Sequence, residues 1–263
     1  MTVSIQVENV TKEFTMQYHR TLKQMAVASV RRLPLHEQFL AVDDVSFTVE
    51  QGESVGLMGL NGSGKSTLLK LINGVMKPDA GSIRTRGRIA GLIATGAGFH
   101  PQLTGKENLF LNGAILGMSE AETKRKFDDI VAFADIGKFM NTPVSHYSSG
   151  MYARLGFSIA IHVDADIFLA DEVLAVGDRP FKKKCMAKMQ EIRRQGTTIF
   201  YVSHATASVR AMCDRVLVLE SGHLNYDSKT REDGSVDGAI RYLQYDDADT
   251  EVKATDEELG ADI

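Results

Sequence analysis

Gly59-Leu60-Asn61-Gly62-Ser63-Gly64-Lys65-Ser66-Thr67 is the stretch on which the fold turns. It follows the continuously apolar run Ser54–Met58 and precedes Leu68-Leu69-Lys70-Leu71-Ile72, so strand, glycine loop and helix come in the order a phosphate-gripping loop needs. Glycines let successive backbone N–H groups turn inward around phosphate oxygens, and the helix N-terminus adds its positive dipole end. In such a loop Lys65 reaches the β- and γ-phosphates and the Ser66 hydroxyl ligates Mg²⁺, while Gly59, Asn61, Gly62, Ser63, Gly64 and Thr67 complete the nucleotide cradle.

A second stretch supplies the acid. Ile167-Phe168-Leu169-Ala170-Asp171-Glu172 is an apolar strand ending in two carboxylates. Asp171 is expected to hold the Mg²⁺ through water, and Glu172, which leaves the strand in another direction, to polarise the attacking water. Ser54–Met58, Asp166–Ala170 and Thr197–Val202 are each continuously apolar and soon meet a helical pattern, which predicts buried parallel strands. Val3, Ile5 and Val7 alternate, as do Val45, Phe47 and Val49, which predicts an antiparallel layer near the N-terminus. Phe181, Cys185, Met189 and Ile192 recur at helical spacing, with Lys182, Lys183 and Lys184 turned outward and Gly196 placed to end the helix.

From Thr104 to Asp135 the pattern is helical only, and Thr104-x-x-Glu107 and Ser119-x-x-Glu122 both read as capping boxes. A helical insertion over about 95–153 follows. Met16 to His36 holds Arg20, Lys23, Arg31 and Arg32 with no acid, and Leu22, Met25, Ala26, Ser29, Val30 and Leu33 share one helical face. That predicts a basic amphipathic helix within an insertion over about 16–38, suited to an anionic membrane surface. Residues 246–263 carry eight acids against Lys253 and are expected to be a disordered tail, leaving 1–245 as one folded unit.

Composition bounds the rest. A chain of 263 residues that is 43% hydrophobic holds a packed core, and a net charge of −4 lacks the basic balance of a general nucleic-acid binder. Two cysteines, Cys185 and Cys213, suggest no disulfide framework. No apolar run reaches the roughly 18 residues that span a bilayer, and the N-terminus shows no signal-peptide pattern, so a cytoplasmic location is expected.

A third element narrows the family. Tyr147-Ser148-Ser149-Gly150-Met151 lies about twenty residues before the Asp171 strand, and this order and spacing resemble the signature motif of ATP-binding cassette (ABC) proteins, Leu-Ser-Gly-Gly-Gln. Ser148 and the second glycine, Gly150, match; Tyr147, Ser149 and Met151 depart. The resemblance implies an α/β fold, a P-loop NTPase (RecA-like) core with an N-terminal antiparallel β layer and an inserted helical subdomain. It also implies that Ala175-Val176-Gly177-Asp178 is the D-loop across a subunit interface, that His204 contacts the γ-phosphate, and that Phe14, with Tyr18 as competitor, stacks on adenine. The family's Q-loop glutamine falls at Thr95, a departure that puts its magnesium contact and mechanical coupling in doubt.

Cassettes of this family close in pairs, each ATP held between the P-loop of one copy and the signature of the other. The resemblance therefore implies ATP and Mg²⁺ as cofactors, a second copy of this chain, two multi-helix membrane permease subunits, and a station on the cytoplasmic face of the membrane. Gly96-Ala97-Gly98-Phe99-His100-Pro101-x-Leu103-Thr104-Gly105-x-Glu107-Asn108 resembles the loop of lipid-linked polysaccharide exporters for O-antigen, teichoic acid or galactan. The short tail favours galactan, because longer O-antigen members add a C-terminal carbohydrate-binding domain. The rival expectations are a soluble ABC ATPase acting on nucleic acid or ribosomes, and an importer cassette.

Overall fold

The computed structural model describes residues 2–17, 36–92, 98–171, 178–230 and 234–243. Two long strands, β1 (Val3–Gln17) and β2 (His36–Glu50), pair antiparallel, and β4 (Ala80–Thr85) joins the other edge of β1 to give the order β2-β1-β4. β4 reaches β1 only from Ile5 to Thr11, so beyond Lys12 the sheet continues as a two-stranded ribbon. Met16, Gln17 and His36–Gln38 belong to that ribbon, which corrects the expected limits of the basic insertion; its predicted helix lies outside the described residues. So do Tyr18, Thr95 and the acidic tail.

The second sheet is β5-β6-β7-β3-β8-β9, built from β3 (Ser54–Met58), β5 (Ile89–Leu92), β6 (Ile167–Ala170), β7 (Thr198–Val202), β8 (Arg215–Glu220) and β9 (His223–Asp227). Its pairs are parallel except β8 with β9. The continuous apolar runs have a direct cause: both faces are covered. In β7, Phe200 and Val202 face the antiparallel layer while Ile199 and Tyr201 join the helical side; in β6, Ile167 and Leu169 part from Phe168 and Ala170 in the same way. Phe47 stacks on Phe200 with centroids 5.8 Å apart, fastening layer to layer. Arg215, buried, adds a polar tie: it donates to the Thr48 carbonyl (2.7 Å), to Glu53 (3.2 Å) and through two nitrogens to Asp227 (2.7 and 2.5 Å).

Helix α1 (Lys65–Ile72) follows β3, and α5 (Arg179–Arg194), α6 (Thr206–Met212) and α7 (Val236–Tyr242) cover the sheet. Between β5 and β6 lie α2 (Gly105–Ile115), α3 (Glu120–Ala134) and α4 (Ser149–Ile161). This helical block runs past residue 153, because the apolar face of α4 continues to Ile161. Thr104 forms the expected reciprocal capping box with Glu107. Ser119 does not. Its hydroxyl accepts the Glu122 N–H, but the Glu122 carboxylate turns inward to Arg88 (2.9 and 3.2 Å) and Lys126 (3.4 Å). Desolvation pushes the Glu122 carboxyl up, yet hydrogen bonds from Arg88 and the Asp164 N–H, with the charges of Arg88 and Lys126, outweigh it and hold the group below its ordinary value.

The Lys182–Lys184 face is exposed as expected, with one refinement. Lys184 reaches the carbonyls of Ala132 (3.1 Å) and Phe133 (3.0 Å) at the end of α3 and lies 4.6 Å over the Phe133 ring. Burial pushes the thiols of Cys185 and Cys213 up to about 12, so neither serves as a nucleophile.

Candidate functional site: two separate pockets

The loop between β3 and α1 is shaped by close backbone approach. Gly59 (φ +145°) lies so near the Leu219 carbonyl that a Cβ would stand 2.1 Å from its oxygen; at Gly64 (φ +103°) the Ala41 carbonyl would be 2.0 Å away. No side chain fits either position, and Gly64 is also the N-cap of α1, where first-turn N–H groups point outward. The Lys65 ammonium is nearly buried and donates to the Gly59 and Leu60 carbonyls, both at 2.8 Å, which aims it along the loop. Ser63 Oγ is buried with no hydrogen-bond partner, an orphan in the cradle.

A cavity of about 260 Å³ opens over this loop. Asn61, Gly62, Gly64, Lys65, Ser66 and Thr67 line its floor, and Asp171 from the end of β6 and His204 from the end of β7 line its wall. Four expected roles thus meet: ammonium, hydroxyl, carboxylate and imidazole. Ser66 and Asp171 supply two hard oxygen donors, which fits Mg²⁺, an ion that takes few protein ligands and completes its shell with phosphate and water. Glu172 lies outside the described residues.

Of the residues expected on the loop side, Gly59, Ser63 and Phe14 do not line this cavity. Ser63 lines the neighbouring cavity with Asn61, Gly62 and Glu220. Phe14 does not line the loop cavity; Phe39, its cross-strand partner in the β1–β2 register, does, and Lys12 covers Phe14 at 5.7 Å. Cross-strand partners share a face of the sheet, so only the pairing of β1 with β2 identifies Phe39, and that pairing is invisible in an isolated sequence.

The signature residues line a different cavity of about 500 Å³. Ser148 caps α4 by accepting the Met151 N–H at 3.2 Å, and Gly150 follows in the first turn with open space around it. Tyr147 turns away, donating its hydroxyl to the Phe139 carbonyl at 2.7 Å in room left by Gly105, where a Cβ would stand 2.0 Å from that oxygen. Asp178, the N-cap of α5, lines the same cavity and pairs with Arg154 at 2.7 Å. Desolvation raises its carboxyl, but the bonds from Arg154 and the Phe181 N–H with the guanidinium charge leave it below its ordinary value. The two cavities share no residue among those described.

A family model described as ABC transporter matches residues 42–175, from within β2 to just past Glu172. The chain belongs to the ABC transporter family. It is an ATP-binding cassette and an ATPase. Over 240 residues the cassette is 43% identical to an O-antigen export system ATP-binding protein (RfbB) of Klebsiella pneumoniae, covering 90% of this chain and 95% of that one. It is also 43% identical over 224 residues to a teichoic acids export ATP-binding protein (TagH) of Bacillus anthracis, covering 85% of this chain but 40% of that longer one. In fold the cassette is similar to a dimeric ATP-binding cassette solved in a post-hydrolysis state with ADP and phosphate, with TM-score 0.69, 24% identity, and 86% and 99% of the two chains covered.

Proposed function

We propose that this cassette is the ATP-hydrolysing motor of an exporter that moves a lipid-linked polysaccharide across the cytoplasmic membrane. The observation that carries the reading is the split of the machinery: Lys65, Ser66, Asp171 and His204 converge on one cavity while Ser148, Gly150 and Asp178 line another. A chain built so is complete only when a second copy brings its signature cavity to the first copy's loop. In that pair the loop N–H groups and Lys65 grip the β- and γ-phosphates, and the partner's serine and glycine close on the γ-phosphate from the opposite side. Phe39 stacks on the base, and His204 meets the γ-phosphate from the end of β7.

Ser66 and, through water, Asp171 are the residues that would hold Mg²⁺, which when bound would offset the negative charge of the phosphates. Glu172 accepts a proton from the attacking water. No helix among the described residues is long and apolar enough to cross a membrane. In the proposed exporter two such cassettes dock on two permease subunits at the cytoplasmic face.

The names of the relatives support a polysaccharide cargo of the O-antigen or teichoic acid class, and none of them names galactan. The length argument for galactan loses force, since the cassette spans 95% of a relative named for O-antigen export. The test is Glu172→Gln in the producing cell and in the purified chain. Turnover is expected to fall about 10²- to 10⁴-fold with ATP binding kept, and lipid-linked polysaccharide to build up inside. Lost turnover without such accumulation, together with co-purifying ribosomes or nucleic acid in place of a membrane protein, refutes the export reading.

A further inference from the structure

Beside the phosphate-loop cavity lies a hollow of about 480 Å³ that the nucleotide reading leaves unused. One wall is the outer flank of the loop, residues 60–63, and the other is the β8–β9 hairpin around residues 220–225. The walls are tied together: the Gly222 N–H donates to the Ser63 carbonyl at 3.0 Å, and the Asp43 N–H to the Gly222 carbonyl at 2.9 Å. Asn61 and Gly62 also line the nucleotide cavity, so both hollows lean on the same two residues.

The polar groups of this hollow exceed what the fold uses. Ser63 Oγ is buried without a hydrogen-bond partner, a cost that a ligand reaching it removes. Glu220 is oriented by the Asn225 amide (2.7 Å) and the Tyr242 hydroxyl (3.2 Å), both on Oε2, which leaves Oε1 to accept. Ser221 stands at the tip of the turn with φ +48°, a left-handed value that costs a serine more than a glycine. Among the described residues the lining holds one carboxylate, the imidazole of His223 and no lysine or arginine, so an anion finds no fixed cation there. Nor do the described residues gather three metal-ligating side chains. A carboxylate oxygen, two side-chain amides and two serine hydroxyls suit instead a neutral ligand with several neighbouring hydroxyls, which donate and accept at once. Exposed Leu60 offers its C–H face an apolar wall.

We propose that this flank hollow is a saccharide site, sized for about one or two sugar rings, and that an occupant strengthens the grip of the loop on ATP. The direction follows from Gly62. It takes a left-handed φ of +82° with nothing within 4 Å of an added Cβ, so the loop is unsupported where the two hollows meet. A sugar ring packed there restrains the loop, and ATP then meets a loop with less freedom left to lose. Binding of the saccharide stands by itself; only its effect on ATP rests on the nucleotide reading above.

Titration of the full chain with D-galactose, D-glucose and D-mannose, followed by ligand-observed NMR, tests the site without nucleotide. At least one is expected to bind with a Kd of about 1 mM, the range open to a polar ligand of about a dozen heavy atoms. Glu220→Gln is expected to weaken it roughly tenfold, and Ser221→Gly, which relaxes the turn, roughly threefold. Inorganic phosphate is expected not to compete. Absence of binding by all three sugars, binding untouched by both variants, or displacement by phosphate overturns the site. Should Glu220→Gln fail to fold, Ser221→Gly decides. With the sugar near saturation, ATP affinity read with a fluorescent nucleotide is expected to rise about fivefold, and a non-hydrolysable ATP analogue to tighten the sugar by the same factor, as linkage demands. An ATP affinity that the sugar leaves unaltered overturns the coupling. ATP that fails to bind the wild-type chain overturns instead the phosphate-loop reading, with the NMR titration still deciding the site.

Discussion

The phosphate-loop cavity and the signature cavity serve one proposed ATP yet are built on opposite principles. Around the first, backbone presses on backbone: Gly59 and Gly64 leave 2.1 and 2.0 Å to neighbouring carbonyl oxygens for any added Cβ. Around the second, Gly150 has only Ser148 Oγ near a built Cβ, at 3.8 Å, and side chains do the holding through Arg154, Asp178 and Tyr147. A site made by backbone compression permits one residue type at its glycines. A site held by side chains tolerates change, which is why Tyr147, Ser149 and Met151 depart from the family pattern without loss of the cap or the helix.

The sharpest way to break this contrast is to remove the buried charge that Lys65 brings to the first cavity. Lys65→Ala is expected to weaken ATP binding on the order of 1000-fold, as truncating one member of a buried charge-assisted contact does, and titration with a fluorescent nucleotide checks it. A tenfold loss or less means that the loop amides alone carry the phosphate.

Next in size is the glycine pair. Gly64→Ala is expected to cost about 3 kcal/mol of stability, from a left-handed φ and a clash with the Ala41 carbonyl. Gly150→Ala is expected to leave stability unchanged or raise it by up to about 1 kcal/mol, since alanine favours a helix, while turnover falls. Chemical denaturation of both variants measures the difference; equal losses erase the distinction between the cavities.

The smallest effect lies in the support of the signature side. Glu122 is held below the ordinary value of 4.5 by Arg88, the Asp164 N–H and Lys126 despite desolvation. A depressed carboxylate adds stability that is full above about pH 4.5 and fades as pH falls through its folded-state value, so acid is expected to loosen α3 and α4 before α1. Hydrogen exchange of those helices between pH 7 and 4 reads this, with a difference of about 1–2 kcal/mol that Glu122→Gln abolishes.

What could be read in advance follows the same division. The loop, its flanking strand and helix, and the three buried strands were legible because backbone constraint and two-sided burial leave local marks. Ser148, Gly150 and Asp178 were legible only through the family pattern. Phe39 was hidden because its place depends on the pairing of β1 with β2. Glu122 misled because a local capping rule lost to the pull of Arg88, 34 residues away in the chain. β8, whose four apolar residues are flanked by Arg215 and Glu220, escaped notice for lack of a glycine or carboxylate motif, though it lies beside β3 at the centre of the sheet.

That last position has a consequence for synthesis on the ribosome. β3, whose end leads into the phosphate loop, hydrogen-bonds on its two sides to β7 and β8, both made more than 140 residues later. The nascent strand therefore waits unpartnered through translation of the whole helical block, at elongation rates of about 5–20 residues per second a delay of many seconds. During that interval its Val55 and Leu57 need shelter, so maturation of this motor is expected to depend on holding chaperones, and a stalled or truncated message yields aggregation rather than half a cassette.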